Sequence, residues 1–514
     1  MTQPDAPWWK SAVVYQIYPR SFCDTSGDGV GDLEGIRRHL DHLVWLGVDA
    51  IWISPFFRSP MKDYGYDVSD YCDVDPLFGT LADFDRLLAD AHAHGLRVLI
   101  DWVPNHTSDR HPWFVEARSS RTSARRSWYV WRDGPPDRPP NNWRAAFADE
   151  PAWTFDEATG QWYLRCFLRE QPDLNWDEPA VEAAMHETLR FWLRRGVDGF
   201  RMDVIHLIGK DPALPDVPAE RTKLPYCILN EYQTTHERLR RIRALVDSFP
   251  GDRVTVGEVG LMWTDAVARH YGRGDELHLA FNFPPIFAPW EAAAWRAQID
   301  RVARELDPIA AWPTWVLSNH DQKRHRTRYG GSEARARAAA VLLLGLRGTP
   351  FLYAGEELGL EDAAIAPERV LDPGGRDGCR APIPWEAAPG HGWGAHEPWL
   401  PWPPDAARRS AASLREDPAS ILQLYRRLLA ARRSSPALRL GDFRWLPAPE
   451  RVLAWERRCA GDRRVVAVNF GGEAVRAPLG DGLRVEVASD GRGEGAPYAG
   501  RVGADQALVL RASV

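Results

Sequence analysis

Cysteine is scarce and scattered: Cys23, Cys72, Cys166, Cys227, Cys379 and Cys459 are the six among 514 residues. None forms a C-x-x-C pair. That excludes a disulfide framework and a cysteine-zinc site, and free thiols in a cytoplasmic protein are expected. Long apolar runs are missing too. No stretch approaches the ~18 residues of a membrane-spanning helix, and MTQPDAPWWKSAVVYQIY at the start lacks the basic-then-apolar layout of a secretory leader. Nor is there a basic excess. The formal charge is -7 with no basic run, which argues against nucleic acid or an anionic membrane surface as a partner. What remains, 44% hydrophobic and 26% charged, is ordinary for a soluble globular chain. Its length allows two to four domains. Tryptophan is abundant, at 24 residues. Most are expected in the core and between domains, with a few free to stack on the CH faces of sugar rings.

Strand-like and helix-like segments alternate from about residue 12 to about residue 433. Val13–Tyr18, Ala50–Ile53 and Arg97–Asp101 read as strands, and Leu33–Trp45 and Leu81–His94 as helices, the second stopped by Gly95. Further strands end at Asp203, Glu258, about Phe281, Ser318 and Ala354. Strands alternating with helices imply a parallel sheet, and eight of them imply a closed (β/α)8 TIM barrel. Two irregular stretches rich in Pro, Gly and Trp interrupt the pattern. The first is too long for a structureless loop and predicts an inserted subdomain after the third strand. The second runs from Glu357 to about Asp417. After the helix Ile421–Arg432, and beyond Pro436, short β-like runs predict an all-β domain. The expected division is 1–104 and 175–433 for the barrel, 105–174 for the insert, and 434–514 for a C-terminal β-sandwich.

Three carboxylates stand where short apolar strands run out: Asp203 after Gly199-Phe200-Arg201-Met202, Glu258 after Val254-Thr255-Val256-Gly257, and Asp321 after Ser318-Asn319-His320. A barrel carries its active site at the strand C-termini, and cleavage of a glycosidic bond needs two carboxyl groups flanking that bond. Arg201 lies two residues before Asp203, hence on the same face of a strand. A fixed cation there is expected to keep Asp203 ionised and lower its pKa.

In these motifs the chain resembles the α-amylase superfamily, in particular the oligo-1,6-glucosidase and α-glucosidase subgroup. The resemblance rests on Asp101-Trp102-Val103-Pro104-Asn105-His106, Gln171-Pro172-Asp173-Leu174-Asn175, Gly199–Asp203, Gly257-Glu258 and Asn319-His320-Asp321, five matches in that family's order. It implies a retaining hydrolase with Asp203 as nucleophile and Glu258 as acid and base, Asp321 assisting by binding sugar hydroxyls. His106, His320 and Phe167 would contact substrate in the same subsite. Asp63 and Tyr66 would line the closed end, and Arg380 would partner Asp63, although Ala381 replaces the family's usual threonine. Val204, directly after the nucleophile, goes in this family with α-1,6 preference, while His206 departs from the usual asparagine. Arg221–Glu237, with Tyr226 and Tyr232, is expected to overhang the entrance.

The run Asp24–Asp32 sets oxygen ligands at alternate positions between glycines, which suits a hard cation. It resembles the family's calcium loop, with Asp24, Ser26, Asp28 and Asp32 as side-chain ligands and Val30 through its carbonyl. Ser26 stands where asparagine is usual. The ion, Ca²⁺ or Mg²⁺, would be structural, and catalysis would need no cofactor. The expected partner is a short oligosaccharide or other α-glucoside, with the chain acting as a monomer or homodimer. A glucosyltransferase, sucrose hydrolase or disaccharide isomerase would carry the same motifs. The family's non-enzymatic transporter subunits have lost these acids and carry a membrane helix.

Overall fold

The computed structural model describes residues 6–147, 150–218, 231–394 and 397–512. Eight parallel strands form one sheet: β1 (Val14–Ile17), β2 (Ala50–Ile53), β3 (Arg97–Trp102), β4 (Gly199–Met202), β5 (Val254–Glu258), β6 (Leu279–Phe281), β7 (Thr314–Val316) and β8 (Thr349–Tyr353). Their order is β6-β5-β4-β3-β2-β1-β8-β7, so the sheet curls into a nearly closed barrel. All eight lie where the alternation predicts them. At the seam between β6 and β7 a side chain does the bridging: Thr314 Oγ1 donates to Ala280 O at 2.7 Å.

The strands read as continuous apolar runs because both faces are buried, one by helices and one by the barrel interior. Period-2 alternation then decides what points inward. Val14, Ala50, Trp52, Leu99, Val254, Val256, Phe281 and Phe351 share one interior cluster. Further along the same rows the inward positions turn polar, at Gln16, Asp101, Arg201, Asp203 and Glu258. The barrel is therefore a packed core at its N-terminal end and a charged cup at its C-terminal end.

Helices end on local signals. Leu81–Ala93 starts with a capping box between Thr80 and Asp83, and Gly95 follows in the left-handed region, at φ 77°. Between β3 and β4 the chain builds a three-stranded antiparallel sheet from Trp131–Arg132, Trp153–Asp156 and Gln161–Leu164. Trp143, Trp153, Trp162, Leu164 and Phe167 pack there against Val204 and Leu207, just past the end of β4. The insert thus leans on the loop that carries the nucleophile candidate.

Pro436–Leu440 is one more helical turn, capped by Ser435 with proline at its first position. The C-terminal domain follows as five antiparallel strands, β9 (Asp442–Trp445), β10 (Val452–Cys459), β11 (Asp462–Asn469), β12 (Leu483–Ala488) and β13 (Ala507–Ala512), ordered β9-β10-β11-β13-β12. A short pair, Val475–Arg476 with Arg501–Val502, accompanies it. One face of the sheet, with Trp455, Val466 and Val509, joins the core around the barrel. The other, with Ala454, Val465 and Leu510, has its own core. Among the described residues no helix is long and apolar enough to cross a membrane. Cys23, Cys72, Cys379 and Cys459 are free, and Cys227 lies outside the described residues.

Candidate active site

Arg201, only 2% exposed, sits at the centre of the charged cup. Its NH1 donates to Asp101 Oδ1 and to Asp203 Oδ1, both at 2.7 Å, and its NH2 to Glu258 Oε2 at 2.5 Å. Asp203 follows the last residue of β4 and Glu258 ends β5, and these strands pair side by side. Neighbouring strands and one forked cation thus bring the two acids to a common point.

A single guanidinium among three carboxylates has a consequence that Arg201 and Asp203 taken alone do not suggest. Burial lifts the Asp203 carboxyl well above the usual range; Arg201 opposes it, and repulsion from Glu258 and Asp101 adds to it. The expected lowering by Arg201 is overturned, because desolvation outweighs a cation shared three ways. Asp101, fully buried, is likewise pushed up to about 6, again chiefly by burial.

Asp321 differs. Burial opposes its charge, yet Arg376 and Arg380 together hold its carboxyl below the usual range. Its Oδ1 accepts from Arg376 at 2.9 Å and Arg380 at 3.1 Å, and its Oδ2 lies 3.2 Å from His320 Nε2. His320 is pushed down to about 3, mostly by burial, so the ring is neutral. With Gln16 Nε2 donating to Nδ1 at 2.7 Å, the ring proton sits on Nε2, 2.6 Å from the Tyr66 hydroxyl. Tyr66 stacks parallel to that ring at 5.4 Å. His106 is also buried and kept neutral by desolvation. Its Nε2 lies 3.1 Å from the Gln171 amide, which in turn donates to Asp63 Oδ2 at 3.0 Å.

The partner of Asp63 is not the expected one. Arg376 NH2 donates to Asp63 Oδ1 at 2.7 Å, and the same side chain holds Asp321 and Asp372. Arg380, on the turn Asp377–Arg380, lies deeper. It is fully buried and spends its donors on His320 O at 2.7 Å, on Asp321 and on Asp372. The two arginines are four residues apart, and the 3₁₀ turn sends the first to the cavity wall and the second beneath it.

These groups enclose a cavity of about 320 Å³ lined by Asp63, Tyr66, His106, Phe147, Phe167, Asp203, Val204, His206, Glu258, Asp321, Gln322 and Arg376, with three small residues besides. It lies at the lower end of ligand-pocket sizes, about 300–1,000 Å³. Arg201, His320 and Arg380 support the lining from behind. No tryptophan lines it; the aromatic walls are Tyr66, Phe147 and Phe167, while Trp52, Trp102, Trp143, Trp192, Trp295 and Trp455 are fully buried. Phe147, Gln322 and Arg376 were missed at the sequence level. Arg376 opens the run that contains Arg380 and could have been weighed beside it. Phe147 lies in the irregular insert, where no periodicity marks it; Arg376 stacks over its ring at 4.5 Å. Of the segment expected to overhang the entrance, 221–230 lies outside the described residues, and Thr234–Glu237 form the first turn of an ordinary barrel helix.

Val204 is not part of the strand. It sits at φ 34° and ψ 41°, a left-handed conformation that is an outlier for a β-branched residue. Its N–H donates to Glu258 Oε2 at 3.2 Å, so the strained turn ties the residue after one acid to the other acid.

The loop Asp24–Asp32 stands apart from the cavity, and none of its residues lines it. Gly27 and Gly29 take positive φ, 84° and 86°. Asp24 accepts from Gly27 N at 2.7 Å and Gly29 N at 3.0 Å, Asp28 from Val30 N at 2.9 Å, and Asp32 caps the next helix through Gly35 N at 2.6 Å. The donors are oxygen only, with Ser26 Oγ 3.2 Å from Asp24 Oδ1. Asp24 Oδ1 also accepts from Ser26, and both Asp32 oxygens accept from Thr25, so the fit to a hard cation rests on the all-oxygen character of the set.

The family model for the alpha-amylase catalytic domain matches residues 16–441. The chain belongs to that family. It is 44% identical to a probable alpha-glucosidase of Rhizobium meliloti (strain 1021) over 93% of this chain and 92% of the relative. It is 36% identical to the oligo-1,6-glucosidase of Parageobacillus thermoglucosidasius over 90% of each chain. In structure it is similar to the alpha-glucosyl transfer enzyme XgtA, with TM-score 0.91 and 40% identity, covering 99% of this chain and all of that one.

Proposed function

We propose that this protein is a retaining, exo-acting α-glucosidase. It releases glucose from non-reducing ends of short α-glucosides, with α-1,6 linkages slightly favoured over α-1,4. The observation that carries this reading is a small cavity lined both by Asp203 and Glu258 and by the Asp63–Arg376 ion pair. Asp203 attacks the anomeric carbon while Glu258 gives its proton to the glycosidic oxygen, and the leaving sugar departs. Glu258, now a carboxylate, takes a proton from water; the water oxygen attacks the anomeric carbon and frees Asp203. Both acids are gripped by one guanidinium, which supports the close carboxyl spacing of a retaining enzyme. Asp321, with His320 behind it, orients sugar hydroxyls, and Tyr66, His106 and Phe167 complete the subsite. Asp63 and Arg376 bind the hydroxyls farthest from the bond being cut and block extension in that direction.

Asp24, Ser26, Asp28, Asp32 and the Val30 carbonyl would hold Ca²⁺ or Mg²⁺, which supplies rigidity to the loop after β1 and no chemistry. Free thiols favour the cytoplasm as the location, and monomer or homodimer remains the proposed state. The division at 104/105, 174/175 and 433/434 is kept as the proposed domain plan. XgtA's description as a glucosyl transfer enzyme favours a second reading, in which an acceptor hydroxyl replaces water in the second step. The test is kcat/KM on isomaltose against maltose with the products resolved by chromatography. Glucose as the dominant product supports hydrolysis, longer oligosaccharides support transfer, and cleavage of neither sugar overturns the α-glucosidase reading.

A further inference from the structure

A second group of ligating side chains lies outside the glucose cavity. Glu231 precedes the helix Thr234–Asp247, whose first turn carries His236, and His270 caps the end of the helix Thr264–Arg269. One ligand atom from each of Glu231, His236 and His270 lies within 4.8 Å of the others. Among the described residues no other three His, Cys, Asp or Glu side chains meet that spacing.

The two imidazoles are oriented as metal ligands are. His236 Nδ1 lies 2.7 Å from Glu276 Oε2, and Glu276 is itself held by Arg240 at 2.9 Å. His270 Nδ1 lies 3.0 Å from Ala266 O. A carbonyl only accepts, so His270 carries its proton on Nδ1 and presents a lone pair at Nε2. That Nε2 is fully buried and has no hydrogen-bond partner, an unfavourable state for an acceptor unless something occupies the space before it. Glu231 Oε1 stands 3.4 Å from His236 Nε2. Ligands at ~2.0–2.1 Å from a tetrahedral metal are separated by about 3.3 Å. Arg269 binds Glu231 chiefly through Oε2, at 2.6 Å, and at 3.2 Å through Oε1.

We propose that Glu231, His236 Nε2 and His270 Nε2 form a site for one divalent transition metal of the zinc class, with water as its fourth ligand. Two histidines, a carboxylate, and a further carboxylate behind one imidazole make the donor set of such sites. The metal would pin together the helices that follow β4 and β5, the strands bearing Asp203 and Glu258. Thr235, beside His236, accepts from Gly209 N at 3.0 Å and donates to His206 O at 3.2 Å, which links the clamp to the loop beyond Val204. It takes no part in cleaving the glucoside.

The full-length protein is stripped with EDTA and returned to calcium-containing buffer, which satisfies any need of the loop 24–32. Zn²⁺ is then titrated calorimetrically, bound metal is counted by mass spectrometry, and Co²⁺ serves as the visible probe. The expected result is one zinc per chain, a raised Tm, and the intense visible bands of four-coordinate cobalt. His236→Gln and His270→Gln should each weaken binding by more than about 100-fold, and Glu276→Gln by about 10–100-fold, while Asp24→Asn leaves it unchanged. Absence of uptake by the wild-type protein, or uptake indifferent to both histidine variants, overturns the site and leaves His236 as a charged bridge between Glu231 and Glu276. Should His270→Gln not fold, the wild-type cobalt spectrum and the exposed-side variant His236→Gln decide.

Discussion

Arg376→Ala removes the cation that closes the cavity, and its effect can be worked out carboxylate by carboxylate. The guanidinium serves Asp63 at 2.7 Å, Asp321 at 2.9 Å and Asp372 at 2.6 Å, with only 10% of the side chain exposed. Asp321 and Asp372 keep a second cation in Arg380, at 3.1 and 3.3 Å. Asp63 keeps only the Gln171 amide. A hydrogen bond to a charged group contributes about 1.5–3 kcal/mol, so loss at Asp63 alone should lower kcat/KM by about 10- to 150-fold. Because Asp63 would hold hydroxyls remote from the reacting carbon, most of that should appear in KM. The assay is steady-state kinetics on isomaltose and maltose, with thermal unfolding run in parallel. Asp63→Asn should cost about as much, and the double variant little more, giving a coupling of at least about 1 kcal/mol. Arg380→Ala should behave differently: fully buried and bonded to His320 O, it should lose about 3–5 kcal/mol of stability. The reasoning is refuted if Arg376→Ala keeps kcat/KM within threefold of wild type, or if Asp63→Asn couples to Arg380→Ala instead.

Asp203→Ala should abolish turnover while leaving the fold intact, and persistent activity in a pure sample would remove Asp203 as nucleophile. Val204→Ala should lower the isomaltose-to-maltose ratio of kcat/KM by a change worth about 1–3 kcal/mol; an unchanged ratio would reduce Val204 to a strained turn residue. His111 is pushed down to about 3 by burial, while its unfolded value lies near 6.5. The unfolded chain therefore binds the extra proton, and stability falls as pH drops from about 6.5 towards 3, by at most about 1.4 kcal/mol per pH unit. His111→Asn keeps an acceptor for Trp113 N and should flatten that slope in urea melts; an identical slope would refute the assignment. EDTA should lower Tm in the wild type and Ca²⁺ should restore it, but not in Asp24→Ala, as measured by calorimetry.

The eight barrel strands were legible because burial on both faces leaves short apolar runs between helices of ordinary length. Asp203, Glu258 and Asp321 were legible because a strand that turns from apolar to acidic at its C-terminal end has one natural place in a barrel. Arg376 was not, because two arginines four residues apart on an irregular loop are equivalent until the turn's geometry separates them. Phe147 was not, because an insert without periodicity gives an aromatic residue no face. The one-turn helix at Pro436 was hidden by its length, since five residues cannot establish a period of 3.6.

The direction of the Asp203 shift exposes a deeper limit. From Arg201 and Asp203 alone, an adjacent cation favours the carboxylate. In the folded barrel that cation also faces Asp101 and Glu258, residues far away in the sequence. The balance of charge at a site is a property of everything that converges there, and convergence is what the fold supplies. The proposed chemistry needs Asp203 ionised when it attacks and Glu258 protonated when the sugar leaves. Arg201 favours the Asp203 carboxylate, and burial with the neighbouring acids opposes it, so the charge of the nucleophile depends on groups that only the fold brings beside it.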